Sequence, residues 1–239
     1  LFYFVGRQFH RIWPYTEHRS WIVAGGAAGV AAAFNAPMAG VVFVLEELAQ
    51  QHFHRFKTVV ISAAIVGGMV SQWSSGKYLY FGYPKIEVVS FSSVPWALLV
   101  GILCGLFAYP FHRMLQIDWR AKLPNYMNTR LKFSIVTGLC MAAIAIFINP
   151  GSIGGGVSVV ESLLIKGEHA SWSLLAARFF GTVISHLSGC AGGFLAPSLA
   201  MGAAIGSKLS TLASYPNHGL LVLVGMAAFL SAIIRAPFT

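Results

Sequence analysis

Acidic residues are scarce in this sequence: seven Asp and Glu stand against sixteen Lys and Arg, and charged residues make up only 10% of the chain. Soluble domains carry about 25% charged residues, so this shortage excludes an ordinary water-facing globular surface. The net charge of +9 raises nucleic acid or anionic lipid as partners. The cations lie in short loops between apolar segments, however, and no soluble basic face is present for nucleic acid. Cysteine is also sparse. Cys104, Cys140 and Cys190 stand apart from one another, which excludes a thiolate metal centre or redox pair and leaves packing as their role. His52, His54 and His112 have no partners at zinc spacing. Ser185 and Ser188 lack the G-x-S-x-G elbow of a hydrolase nucleophile. The sequence therefore carries no enzyme signature, no catalytic residue, no metal site and no call for a cofactor. A cleavable signal peptide is also missing, and the chain begins mid-pattern at Leu1, as though cut from something longer.

What is present is apolar. Hydrophobic residues make up 56% of the chain, and mean hydropathy is +0.71. Runs free of Lys, Arg, Asp and Glu cover Ser20–Leu45, Val59–Gly76, Val88–Phe111, Phe133–Val160, Phe179–Ser207 and Leu209–Ile234. Several exceed the roughly 20 residues that span a bilayer, and Gly or Pro interrupts most of them. The pattern predicts an all-α polytopic membrane protein. Helices are expected over Ser20–Phe34, from about Met38 to Gln51, over Val59–Gln72 (short for a full span), Trp96–Gln116, Phe133–Ile148, Val157–Lys166, Trp172–Leu187 and Pro197–Leu212, with a last one to Ile234. The basic segments at 52–57 and 112–132 are two crossings apart and so share a side. The charge bias makes that side cytoplasmic, in a plasma or bacterial inner membrane.

One stretch stands out chemically: Ser188-Gly-Cys-Ala-Gly-Gly-Phe-Leu-Ala-Pro197. Gly192 and Gly193 leave the backbone bare, and Pro197 stands near the start of an apolar helix. A helix N-terminus carries about half a positive charge and free N–H donors, so it holds an anion without a cationic side chain. At membrane depth such a start is costly unless something polar binds there. The expectation is an anion site inside a membrane.

The chain also repeats itself. At an offset of 200 residues, Gly25, Ala27, Ala28, Ala32, Ala36 and Pro37 meet identical residues in Gly225–Pro237, and Tyr15, His18 and Gly6 meet Tyr215, His218 and Gly206. Paired interrupted helices of this kind mark a transporter built from repeats, with its site at the repeat interface. The expected division is residues 1–93 for the later part of a first inverted repeat and 94–239 for most of a second. The counterpart of Gly193 then falls about seven residues ahead of Leu1, and the helix after Pro37 is expected to recur beyond Thr239.

These residues resemble the CLC family of chloride channels and chloride/proton exchangers over essentially the whole chain. The most specific stretch is Gly26–Glu47, with Asn35-Ala-Pro37 at its break and Glu46-Glu47 at its end. Gly192-Gly-Phe-Leu-Ala-Pro197 resembles the family's second anion loop, written G-x-F-x-P, and Ser152-Ile-Gly-Gly-Gly156 resembles a shorter signature. The resemblance implies a CLC-like bundle of tilted, interrupted helices and a homodimer in the lipid bilayer with one anion pathway per subunit. It assigns the backbone amides of Gly193, Phe194 and Leu195 to chloride, the only ion besides the proton that it calls for. Leu195 departs from the usual Phe, and Ala191 stands where many members have Pro; amide donors need no particular side chain. The family's gating glutamate, central serine and pore tyrosine are expected outside this stretch of chain.

Glu47 matches the position of an internal proton-transfer glutamate in many exchangers. It follows a long uncharged run near the basic loop, where desolvation raises a carboxyl pKa toward neutrality. The alternative is a solvated helix-end pair, Glu46 and Glu47, balanced by Arg55 and Lys57. The function implied is proton-coupled chloride exchange; a passive voltage- or proton-gated chloride channel, or a membrane scaffold that no longer transports, stays open. Two further residues sit oddly in apolar surroundings. His186 suits a packed, hydrogen-bonded role or a proton relay, and Arg178 suits a snorkelling or interfacial one.

Overall fold

The computed structural model describes residues 18–44, 46, 53–76, 81, 84, 86, 90–117, 127–188 and 192–235, and among these every regular element is helical. The chain forms two compact units, Leu1–Gly82 with Ala236–Thr239, and Tyr83–Arg235.

The first unit holds α1 (His18–Phe34), α2 (Pro37–Phe43) and α3 (Phe53–Ser75). The break at Asn35-Ala-Pro37 follows from local chemistry. Asn35 takes the left-handed conformation (φ 50°), which Asn tolerates just past a helix end. The Ala36 N–H then donates back to the Ala31 carbonyl at 3.1 Å, closing α1, and Pro37 opens α2 with its ring preset for a first turn. Small residues let the three helices close up. A Cβ on Gly40 would stand 2.7 Å from the Ala27 carbonyl oxygen, and one on Gly67 would stand 2.8 Å from that of Ala28. Ser71 Oγ donates to the Ala32 carbonyl and Gln72 Nε2 to Asn35 Oδ1, both at 2.9 Å, so α3 holds the broken end of α1. The core between them is Val23, Ala27, Ala31, Val44, Val60 and Ala64.

Helix α3 corrects one expectation. It has 23 residues and runs through the basic Phe53–Lys57 segment, because Arg and Lys are good helix formers. The apolar part of the helix, Thr58–Ser74, remains shorter than a full span, so the difference lies in the helix ends.

The second unit runs α4 (Val94–Leu115), α5 (Met127–Ala143) with a π-type turn at Ile144–Ile148, a 3₁₀ turn at Pro150–Ser152, α6 (Val157–Leu164), α7 (Trp172–Ser188), α8 (Leu195–Leu212) and α9 (His218–Ile234). Helices α8 and α9 pack backbone to backbone. A Cβ on Gly206 would run into the Leu221 carbonyl, and Cβ atoms on Gly202 and Gly225 would each run into the other's carbonyl. Four-residue spacing puts Gly202 and Gly206 on one face, the small-residue arrangement that lets membrane helices approach closely. Cys104 Sγ of α4 also reaches the Gly225 carbonyl at 3.6 Å, which gives this thiol the packing role expected of it. Two segments, Phe91–Leu115 and Leu131–Ile148, are long and apolar enough to cross a membrane. On the first, Leu98, Ile102, Leu106 and Tyr109 are all exposed; their spacing of three and four makes a single apolar stripe.

The 200-residue offset reappears in the backbone. α1 and α9 both have 17 residues and occupy matching positions, 18–34 and 218–234. Each ends on a left-handed residue just ahead of the Ala-Pro pair, Asn35 at φ 50° and Arg235 at φ 55°.

The close approach gives a direct stability test. Gly206→Ala should lower unfolding stability of the full-length protein in detergent by about 1–3 kcal/mol or more, through overpacking. Gly105→Ala in α4, where a Cβ meets nothing within 4 Å, should be neutral or slightly stabilising. Equal melting of the two variants would contradict the α8–α9 contact.

Candidate functional site

Helix α8 begins at Leu195, two residues ahead of Pro197, which the sequence pattern had placed at its start. The earlier start is permitted because the third N–H of a helix has no intrahelical acceptor in any case, so proline there forfeits nothing. Phe194 is the cap residue. Its carbonyl accepts from the Ser198 amide at 3.0 Å and from Ser198 Oγ at 2.6 Å, while no side chain caps the amides of the first turn. The N–H groups of Leu195 and Ala196 thus belong to a first turn that lacks internal acceptors, with the helix dipole behind them. Ala196 was not among the residues singled out from sequence; it joins because the helix starts earlier. A Cβ on Gly193 would meet nothing within 4 Å, so the backbone ahead of the helix is open to a ligand.

Gly192, Gly193, Phe194 and Pro197 line a cavity of about 330 Å³. Leu195 is half-buried and is not among the lining residues. The facing wall comes from two places. One is the loop after α5, through Ser152, Gly154 and Gly155; the other is α7, through Gly181, Thr182, Ser185 and His186. His186 Nε2 pairs with the Leu115 carbonyl at 3.0 Å. Since a carbonyl only accepts, the Nε2 carries a proton, and α7 is tied to α4. The hydrogen-bonded reading of His186 is the one that this contact supports.

The glycine loop is shaped by what it must avoid. Asn149 Oδ1 accepts from the Gly151 amide at 2.8 Å and starts the turn. Gly156 sits at φ 90°, and a Cβ there would lie 2.6 Å from Ala200 Cβ and 3.1 Å from the Arg178 guanidinium carbon. Glycine is required on both counts, by the left-handed backbone and by the contact with α8.

Arg178 is not at an interface. It is 1% exposed, with Nη1 donating to the Gly154 carbonyl at 2.7 Å and Nη2 to the Ile153 carbonyl at 3.2 Å. Its Nε has no partner among the described residues. The guanidinium finds two loop carbonyls inside the protein, where Gly154 to Gly156 add no side chains, so snorkelling is unnecessary. The lone cation in a charge-poor helix, met by a Gly-rich loop, was the signal that the sequence offered for this contact. Carbonyl partners do not neutralise the guanidinium, so a positive charge sits behind the loop that carries Gly154 into the cavity wall.

Glu47, Ala191 and Cys190 lie outside the described residues. Pro37 opens α2 in the first unit, as described above. Glu46 lies half-buried in a turn that widens at Val44.

A chain of interrupted helices, with an uncapped helix start beside a cavity, belongs to a recognisable class of membrane protein. The profile of the voltage gated chloride channel family matches residues 4–239, and the chain belongs to that family, the CLC family. The H(+)/Cl(-) exchange transporter ClcA of Vibrio cholerae is 31% identical over 237 residues, which cover 94% of this chain and 50% of that protein. The ClcA of Vibrio vulnificus is 30% identical over 239 residues, with the same coverage. The chain therefore spans about half the length of the curated relatives it matches. Among solved structures, a CLC-type fluoride/proton antiporter superposes with TM-score 0.77 at 22% identity, covering 91% of this chain and 56% of that one. A slow cyanobacterial Cl-/H+ antiporter superposes with TM-score 0.76 at 24% identity, covering 98% and 57%. The fold is that of CLC antiporters: all-α, with interrupted helices.

Arg178→Met removes both donors and with them the two hydrogen bonds from a buried cation to the Gly154 and Ile153 carbonyls. The variant should lose roughly 2–5 kcal/mol of stability, judged from the loss of two hydrogen bonds made by a charged donor. Denaturation in detergent measures this, and a wild-type midpoint would contradict the buried contact.

Proposed function

We propose that the full-length protein exchanges chloride for protons across a membrane, holding the anion on the backbone amides of Gly193, Phe194 and Leu195, with Ala196 adjoining them. The observation that carries the reading is the uncapped first turn of α8, opening beside the cavity that Gly193 and Phe194 line. An anion is what such a turn attracts, and the absence of a side-chain cap leaves its donors for a ligand. Membership of the CLC family and the exchange activity named for the Vibrio relatives support chloride as the anion and protons as the coupled ion.

Within this reading, Glu47 passes protons near the cytoplasmic end of the first repeat, and residues 1–93 and 94–239 are parts of two inverted repeats. Two copies associate as a homodimer in the lipid bilayer, each with its own pathway. Exchange needs no metal, organic cofactor or nucleic acid, and no covalent chemistry.

The test uses the full-length protein in liposomes, with chloride efflux and proton uptake followed together. Chloride moving down its gradient should drive protons uphill. Glu47→Gln should abolish that proton movement while chloride flux persists at a comparable rate. Wild-type chloride flux without uphill protons would contradict exchange and indicate a channel; intact coupling in Glu47→Gln would remove Glu47 from the proton path.

A further inference from the structure

The hydroxyls of this protein have a common habit. Ser62, Thr137, Ser162, Ser198 and Ser231 all donate to a carbonyl three or four residues back in their own helix, at distances from 2.6 to 3.1 Å. This is how a membrane helix accommodates a hydroxyl without water. Ser152 does otherwise. Its carbonyl three residues back, that of Asn149, already accepts from the Ser152 backbone N–H at 3.1 Å. The residue is 6% exposed, and its Oγ has no partner among the described residues. A buried hydroxyl in that state is costly, and it lines the cavity that the residues Gly192, Gly193 and Phe194 also line.

We propose that the Ser152 hydroxyl is a specificity-determining donor to the transported anion, giving its proton to a halide resting in the cavity between the glycine loop and the first turn of α8. The inference rests on the anion-transport reading above and adds a residue to that site. Three features favour an anion over other occupants. The Ser152 hydroxyl has no partner among the described residues, the Gly193 and Phe194 backbone lines the same cavity ahead of α8, and the Arg178 Nη1 lies 2.7 Å from the Gly154 carbonyl behind the loop. A hydroxyl donor bonds most strongly to a compact, charge-dense anion. Ser152 should therefore favour chloride over iodide.

Calorimetric titration of the full-length protein with chloride and with iodide tests this. Ser152→Ala should weaken chloride binding about tenfold, the size of one hydrogen bond to a charged partner, and weaken iodide binding less. Ser152→Thr keeps the hydroxyl and should stay within about twofold of wild type on the same basis. Ser152→Ala deletes an oxygen that has no partner, so it should melt at or above wild type in halide-free buffer. If it fails to fold, Ser152→Cys, of similar volume but with a weak donor, should show the same ordering against Ser152→Thr. Wild-type chloride affinity together with an unchanged chloride-to-iodide ratio in Ser152→Ala or Ser152→Cys would overturn the assignment; the cavity hydroxyl would then be solvated by water only. A wild-type protein that neither binds nor moves halide would be a different failure, that of the transport reading itself.

Discussion

A backbone N–H without an acceptor is tolerable in water and costly in hydrocarbon, and this one constraint shapes most of the chain. Spanning a bilayer with helices satisfies nearly every backbone group internally. Interrupting a helix at depth exposes donors that something must then satisfy. At Asn35 the problem is solved locally: the left-handed turn returns the Ala36 amide to the Ala31 carbonyl, and proline supplies a first residue with no N–H. At Leu195, among the described residues, no side chain caps the first turn, and its amides are left to a ligand. The same chemical event, a broken helix, thus produces a structural joint in one place and a ligand site in the other.

Packing keeps the second kind of break in position. The α8–α9 contact through Gly202, Gly206 and Gly225 leaves no room to slide, since each backbone touches the other. The glycine loop rests on α8 at Ala200 through Gly156 and is held from beneath by Arg178. Glycines serve here for closeness, and rigidity follows from it: with no intervening side chains, no rotamer change can alter the spacing between the loop and the helix start. A cavity built this way can present fixed dipoles to a small ion without reorganising.

Much of this was legible in the residues. The shortage of charge gave the membrane class, Asn35-Ala-Pro37 gave the joint, and Gly192 to Pro197 gave the helix start, because each depends on local backbone chemistry. The offset of 200 residues anticipated the matched lengths of α1 and α9. What sequence reading missed was tertiary. Arg178 reads from sequence as snorkelling or interfacial because its acceptors are carbonyls 24 and 25 residues away, and carbonyls leave no mark in a sequence. Ser152 stood in the sequence only as the first residue of the Ser152–Gly156 signature, since its significance is the lack of a partner among the described residues. The first turn of α8 was placed two residues late because proline was taken as the opening residue, although any of the first positions accepts it.

The central claim is that α8 begins as an anion site made of backbone amides. Crystals of the full-length protein grown in bromide test it most directly, through the anomalous signal of the ion. The account predicts a bromide peak within hydrogen-bonding distance, about 3.2–3.5 Å for so large an acceptor, of amides among Gly193 to Ala196. Strong bromide peaks elsewhere in the protein, with only water at that first turn, would contradict it.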